Sequence, residues 1–188
     1  TNFHVTPLCS PTRAALLTGR SQHAVGMRGV SNWRTGFPHQ LGHISNNAAT
    51  VAEVLHGEGY ATFCTGKWHL APTQNISAAG PFDQWPLARG FDRFYGFLEG
   101  ETDQFHPELV RDNTHIDPPA APEDGYHLSE DLIDQLLQMV NDSNGGEAKK
   151  RPLSPHEMKG AKRFCSNKMC RAPLFQFKRR RSASQKQM

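Results

Sequence analysis

The net charge of this chain reverses near residue 147, and the reversal limits where a packed core can form. Residues 1–147 carry 8 basic and 17 acidic side chains, a net of −9, whereas residues 148–188 carry 13 basic side chains and a single acid, Glu157, a net of +12. A dense run of like charge repels itself and resists burial. Lys149-Lys150-Arg151, Lys162-Arg163 and Lys178-Arg179-Arg180-Arg181 recur there without a sustained apolar period. No secondary structure is expected for 148–188, and the overall charge of +3 conceals the division.

The 188 residues are enough for one ordinary domain with a core. An apolar content of 37%, with 16 Gly and 13 Pro, makes that core thin and rich in loops. No stretch approaches the ~18 uninterrupted apolar residues of a membrane span. The opening Thr1-Asn2-Phe3-His4 has neither an initiator Met nor the basic-then-apolar order of a signal peptide, so the chain reads as cut from something longer. Four cysteines, Cys9, Cys64, Cys165 and Cys170, are too few and too uneven for a disulfide framework. Asn75-Ile76-Ser77 and Asn141-Asp142-Ser143 fit the glycosylation pattern, a match that three residues meet often by chance.

Local patterns point to α/β layering. Cys9-Ser10-Pro11-Thr12-Arg13-Ala14-Ala15-Leu16-Leu17-Thr18-Gly19 reads as a helix with Cys9 at its N-terminal edge: Pro is tolerated in the first turn, Ala and Leu propagate, and Gly ends it. From Ser21 to Ala49 an aperiodic stretch rich in Gly, His, Asn and Ser is expected to form a surface loop. Thr50 and Glu53 match a capping box ahead of a short helix bearing Val51, Val54 and Leu55 on one face and stopping at Gly57 or Gly59. Tyr60 to Thr65 then reads as a buried strand broken by Gly66, which leaves Lys67, Trp68 and His69 just past a strand end. Gly90–Gly100, aromatic and punctuated by Gly, and Asp117–Asp124, rich in Pro, read as loops or short irregular pieces. Ser129 is expected to cap a helix with Glu130 and Asp131 in its first turn and Leu132, Ile133, Leu136, Leu137 and Val140 as its stripe, ending near Asn144-Gly145-Gly146.

Two segments carry more than secondary structure. Pro7-Leu8-Cys9-Ser10-Pro11-Thr12-Arg13 through Thr18-Gly19-Arg20 resembles the first signature of the type I sulfatases, CxPxR followed by a TGR turn. Gly59-Tyr60-Ala61-Thr62-Phe63-Cys64-Thr65-Gly66-Lys67-Trp68-His69 resembles the second, with its GKWH ending. Five positions with three fixed would match by accident, but two long signatures in the family's order are specific. Phe91 to Gln104 and Gly125 to Asp131 also look like bacterial-type arylsulfatases, which extends the likeness to about residue 145. The resemblance implies a partial alkaline-phosphatase-like α/β fold, with a mixed, mostly parallel sheet flanked by helices. It assigns residues 1–147 to part of a sulfatase catalytic domain and leaves 148–188 as a basic tail of other origin.

The same resemblance implies a sulfuric ester hydrolase whose cysteine, here Cys9, is oxidised to formylglycine by a maturation enzyme. The substrate implied is a small-molecule sulfate ester. Physical reasoning agrees with the placement, because an anionic ester is favoured at a helix N-terminus, where free N–H groups and the positive dipole end point outward. A plain thiolate would give a stable thiosulfate adduct, whereas a hydrated aldehyde carries a second hydroxyl to release sulfate. Arg13, four residues after Cys9, shares its helical face; by resemblance it braces formylglycine. Lys67 and His69, two residues apart, can point the same way. Resemblance directs Lys67 to formylglycine and sulfate, and His69 to a formylglycine hydroxyl. Cys64 is read as a buried strand residue.

The family also implies a divalent cation, usually calcium, held by formylglycine, an early aspartate pair and a later Asp with Asn or Gln. Only Cys9 of that set is visible, and no Asp follows Asp142. Phosphonate and phosphodiester hydrolases share CxPxR, so phosphorus esters are the competing substrates. The basic tail could instead be an arm for polyanions, which would show steep salt dependence, but no specific nucleic-acid partner is expected. Cys165 and Cys170 lack the neighbours of a metal site. The isolated chain is accordingly expected to bind calcium weakly and to turn over 4-nitrophenyl sulfate little or not at all; turnover that disappears in Cys9→Ala would overturn this expectation.

Overall fold

The computed structural model describes residues 5–143 and the backbone of a strand at 174–179. Helix α1 spans Cys9–Thr18 and ends, as the Thr-Gly pair implies, with Gly19 in the left-handed region at φ 64°, its N–H donating to Ala15 O at 2.9 Å. Helix α2 spans Val51–Gly57 behind a complete capping box, in which Thr50 Oγ1 accepts from Glu53 N and the Glu53 carboxylate accepts from Thr50 N. The face expected to be apolar does not pack: Val51 and Val54 are exposed and Ala52 is the buried residue.

Strands β1 (Tyr60–Lys67), β2 (Arg93–Phe97), β3 (Leu109–Arg111), β4 (Thr114–Ile116) and β5 (Leu174–Arg179) form one mixed sheet in the order β4-β3-β2-β1-β5. β1 and β2 are parallel, and the other three pairings are antiparallel, so antiparallel neighbours outnumber the parallel pair in this part of the sheet. Period-2 alternation divides the core between two faces. Cys64 and Phe94 join Ala14, Leu17, Ala52 and Trp68 on the face of α1 and α2. Phe63 and Tyr95 join Leu128, Leu132 and Met139 of α3, Leu128–Asp142, on the other. This is the α/β layering read from the sequence.

Helix α3 is anchored by one carboxylate oxygen. Asp131 Oδ2 accepts from Tyr95 OH at 2.6 Å and from Tyr126 OH at 3.0 Å, and burial together with the Asp131 charge raises both phenol pKa values. The helix is capped by His127, whose Nδ1 accepts from Ser129 N, and not by Ser129 itself. Its expected end at Asn144-Gly145-Gly146 lies outside the described residues.

Three further expectations are corrected. Gly66 does not break β1, because the parallel ladder to β2 carries the strand through Lys67. The Gly90–Gly100 stretch is no loop: Arg93–Phe97 is a central strand, its aromatic residues alternating between the two cores. The basic tail, given no structure on charge grounds, contributes β5, paired with β1 from Tyr60↔Arg179 to Thr65↔Leu174. Backbone hydrogen bonding to an open strand edge ignores side-chain charge, which is what the charge argument left out.

The glycine pair at the centre of the parallel ladder is the tightest point of the fold. Gly96 (φ 159°) lies opposite Gly66, and a Cβ at Gly96 would come 2.0 Å from Gly66 O. Gly96→Ala should therefore force β1 and β2 apart and lower stability by at least about 1–3 kcal/mol in urea unfolding. Gly57→Ala, at a helical position with open space around it, should be neutral or stabilising by about 0.5–1 kcal/mol. Equal effects of the two substitutions would refute the close packing of the ladder.

Candidate active site

Lys67 ends β1, and the ladder extends past it: Trp68 N donates to Phe97 O at 2.8 Å and His69 N to Leu98 O at 3.0 Å. These bonds hold the segment after β1 beside the segment after β2. The chain turns at His69, which takes a left-handed φ of 50°, a conformation uncommon outside Gly but one that His, like Asn and Asp, adopts more often than other residues. Its ring then meets the first residue of α1, with Nδ1 3.1 Å from Cys9 Sγ. Residues 60 apart in sequence thus come together at a helix N-terminus, and Cys9 is neither fully buried nor fully open.

The two cations expected here are both buried. Arg13, 5% exposed, donates from Nε to Trp68 O at 2.7 Å, which ties α1 to the residue between Lys67 and His69. Burial lowers its pKa to about 10, with the Cys64 and Cys9 thiols acting in the opposite direction, so it stays charged at neutral pH. Lys67, 2% exposed, donates from Nζ to Gly100 O. Burial, with Lys67 and Arg13 adding to it, lowers the His69 pKa to about 3. His69 is therefore neutral at neutral pH, and a neutral imidazole can accept a hydrogen at one nitrogen while donating from the other. Cys64, fully buried, has its thiol pushed up to about 12 by desolvation, in keeping with a packing role.

Sequence reasoning named Cys9, Arg13, Lys67 and His69, and these four form one cluster. It missed Asn32, Glu99 and Gly100. Asn32 Oδ1 meets His69 Nε2, and Gly100 O takes Lys67. A Cβ at Gly100 would lie 2.9 Å from His69 Cε1, so the site needs glycine there. Neither signature contains these residues: the β1–β2 ladder brings Glu99 and Gly100 beside the segment after β1, and the loop after α1, tied to it by Ser31 N donating to Ser10 Oγ, brings Asn32. A cavity of about 290 Å³ has Glu99 in its wall with Thr73, Ile76, Phe97, Leu98 and His115 among others, while Cys9, Arg13, Lys67 and His69 do not line it. Among the described residues no group of three or more His, Cys, Asp or Glu could hold a metal ion. The chain's described residues therefore do not fit calcium by themselves, and no step is assigned to it.

The family model for sulfatases matches residues 1–152. The chain belongs to the sulfatase family. It is 39% identical to human arylsulfatase A over 127 residues, covering 66% of this chain and 22% of that protein. It is 44% identical to rat steryl-sulfatase over 93 residues, covering 48% and 15%. An uncharacterised sulfatase of Schizosaccharomyces pombe is 35% identical over 130 residues, covering 65% and 21%. This sulfatase sequence thus spans between about a seventh and a fifth of these relatives' lengths. The fold matches the crystal structure of Ps i-CgsB with a TM-score of 0.58 at 21% identity, over 78% of this chain and 36% of that one. That likeness is one of fold, and it agrees with the alkaline-phosphatase-like α/β architecture. No described helix is long and apolar enough to cross a membrane.

The buried neutral histidine has a consequence for stability. Its pKa is near 3 in the fold against 6.5 for the free side chain, so between those values the unfolded sulfatase chain binds the extra proton. Stability should fall as pH drops from about 6.5 toward 3, with no contribution from this group above that window. Lys67, Arg13, Cys9 and Asn32 are the groups that face the ring. In urea titrations at stepped pH, His69→Gln should show a flatter decline than the parent across the window; parallel declines would exclude a neutral buried His69.

Proposed function

We propose that this sequence forms the nucleophile-bearing part of an enzyme that hydrolyses small-molecule sulfate esters, with Cys9 converted to formylglycine by a maturation enzyme. The observation carrying the reading is the approach of Cys9 Sγ to within 3.1 Å of His69 Nδ1 at the first residue of α1. Membership of the sulfatase family supports it. Because the chain spans about a fifth or less of the length of its arylsulfatase and steryl-sulfatase relatives, the activity is proposed for a full-length protein. The chain alone is expected to be inactive.

Formylglycine supplies, as its hydrate, one hydroxyl to attack sulfur and a second to release sulfate. The other residues serve that chemistry without leaving their positions. His69 Nδ1 is placed to accept a hydrogen bond from residue 9. Arg13 and Lys67 supply fixed positive charge where a sulfate group would gain negative charge on its oxygens, and being buried they need little rearrangement to do so. The first turn of α1 adds the backbone N–H groups of Cys9 and Ser10, Pro11 having none and Thr12 N donating to Leu8 O. The cavity that shares Glu99 with the cluster, with Ile76, Phe97 and Leu98 in its wall, is the space assigned to the organic part of the ester. Glu99, Glu101 and Glu108 also line it and should disfavour a second anionic group there.

Mass spectrometry of the tryptic peptide ending at Arg13 tests the modification: replacement of thiol by aldehyde removes about 18 Da. In the full-length enzyme, Cys9→Ala should abolish turnover of an aryl sulfate, and Lys67→Met should lower kcat by roughly 10²–10³-fold. A plain cysteine at residue 9 in fully active enzyme would end this reading. Faster hydrolysis of a matched phosphonate ester than of the sulfate ester would redirect it to phosphorus chemistry.

A further inference from the structure

Asn32 and Glu99 lie outside both signatures, yet they continue a chain of hydrogen bonds that begins at Cys9. His69 meets Cys9 through Nδ1 and Asn32 through Nε2. Asn32 Nδ2 donates to Glu99 Oε2 at 3.1 Å and to Thr73 Oγ1 at 3.1 Å. Glu99 Oε2 also accepts from Gly100 N at 3.2 Å, so the same turn that receives Lys67 on its carbonyl holds Asn32 by its side chain. These bonds determine hydrogen positions that heavy-atom coordinates alone leave open.

A carboxylate oxygen only accepts, so the end of the Asn32 amide turned toward Glu99 must be its NH₂ group. The carbonyl end is left for His69, and a carbonyl also only accepts. Nε2 of His69 must then carry the ring hydrogen. In a neutral imidazole the other nitrogen is a bare acceptor, and that nitrogen is Nδ1, the one facing residue 9. The reverse amide orientation would set NH₂ against Nε2 and a carbonyl against a carboxylate.

We propose that Asn32, oriented by Glu99 and Thr73, is a positioning residue that locks His69 in the Nε2–H tautomer and so presents the Nδ1 lone pair to residue 9. The relay reaches the nucleophile through a side chain that touches neither substrate nor residue 9. Its catalytic meaning rests on the formylglycine reading, because a residue-9 hydroxyl that donates a hydrogen needs an acceptor opposite it. The tautomer itself does not depend on that reading. Asn32 faces solvent, so substitution there removes the hydrogen bonds without opening a core cavity.

Long-range ¹H–¹⁵N correlation of the 188-residue chain labelled at histidine reads the tautomer directly. His69 should show an unprotonated Nδ1 and a protonated Nε2. Asn32→Ala should shift both nitrogens toward averaged values, and Glu99→Ala should do so in part. Glu99→Gln, which keeps an acceptor for Asn32 Nδ2, should restore the parent spectrum. The His69 amide signal reports in each variant that the ladder bond to Leu98 O is intact. A protonated Nδ1 in the parent chain, or a His69 spectrum unmoved by Asn32→Ala, overturns the proposal. In the full-length enzyme Asn32→Ala should lower kcat by about 10–100-fold with KM nearly unchanged, and an unchanged kcat overturns the catalytic consequence. Full-length enzyme that turns over an aryl sulfate with plain Cys9, together with the stated tautomer, would sink the formylglycine reading alone.

Discussion

Where β1 and β2 run side by side, Gly66 lies opposite Gly96 with no room for a methyl group between them, and the hydrogen bonding continues to Trp68 and His69 on one side and Phe97 and Leu98 on the other. That close parallel contact aligns two strand ends. From one come Lys67 and His69, from the other Glu99 and Gly100, and the bonds between them cross the gap just beyond the sheet. In open α/β sheets, ligand sites fall in the crevice beyond the C-terminal ends of parallel strands, and here the N-terminus of α1 closes the third side. Lys67, His69, Glu99 and Gly100 are thus held by backbone at the ends of the paired strands, and Arg13 Nε ties α1 to the same segment through Trp68 O.

The cluster sets buried positive charge against an acidic background. Arg13 and Lys67 are almost fully buried in a segment whose net charge is −9, and isolated buried cations would be costly. Backbone carbonyls offset much of that cost, Trp68 O for Arg13 and Gly100 O for Lys67. A carbonyl accepts a hydrogen bond from each cation without carrying a formal charge of its own. The same charges, with burial, keep His69 neutral. A single arrangement therefore places two buried cations and a neutral imidazole close to Cys9.

Much of the local structure was legible in the sequence because its causes are local. Gly19 ending α1, Thr50 and Glu53 boxing α2, and the alternating run from Tyr60 each depend on residues within a turn or two. Errors arose where a distant partner overruled a local signal. Gly66 and the glycines around Phe94 read as breakers, yet Gly66 and Gly96 are the positions that let two backbones pack. The charged tail read as structureless, yet one backbone segment of it completes the β1 edge. Ser129 read as a cap, while His127 takes that role through its ring nitrogen.

The sequence by itself determined the chemistry on offer: a cysteine at the start of a helix, an arginine one turn on, and a lysine and histidine at the end of a strand, in two signatures that identify a sulfatase. Covalent order and helical spacing place such residues, and nothing distant is needed to find them. Only the tertiary structure decided that His69 Nδ1 faces Cys9, that its other nitrogen meets Asn32, and that Glu99 and Gly100 hold Asn32 and Lys67. Those contacts join residues roughly 30 to 70 apart in the chain, and they exist because the pairing of β1 with β2, the docking of α1 on Trp68 and the tie of the following loop to α1 bring distant segments together, an arrangement no local propensity encodes.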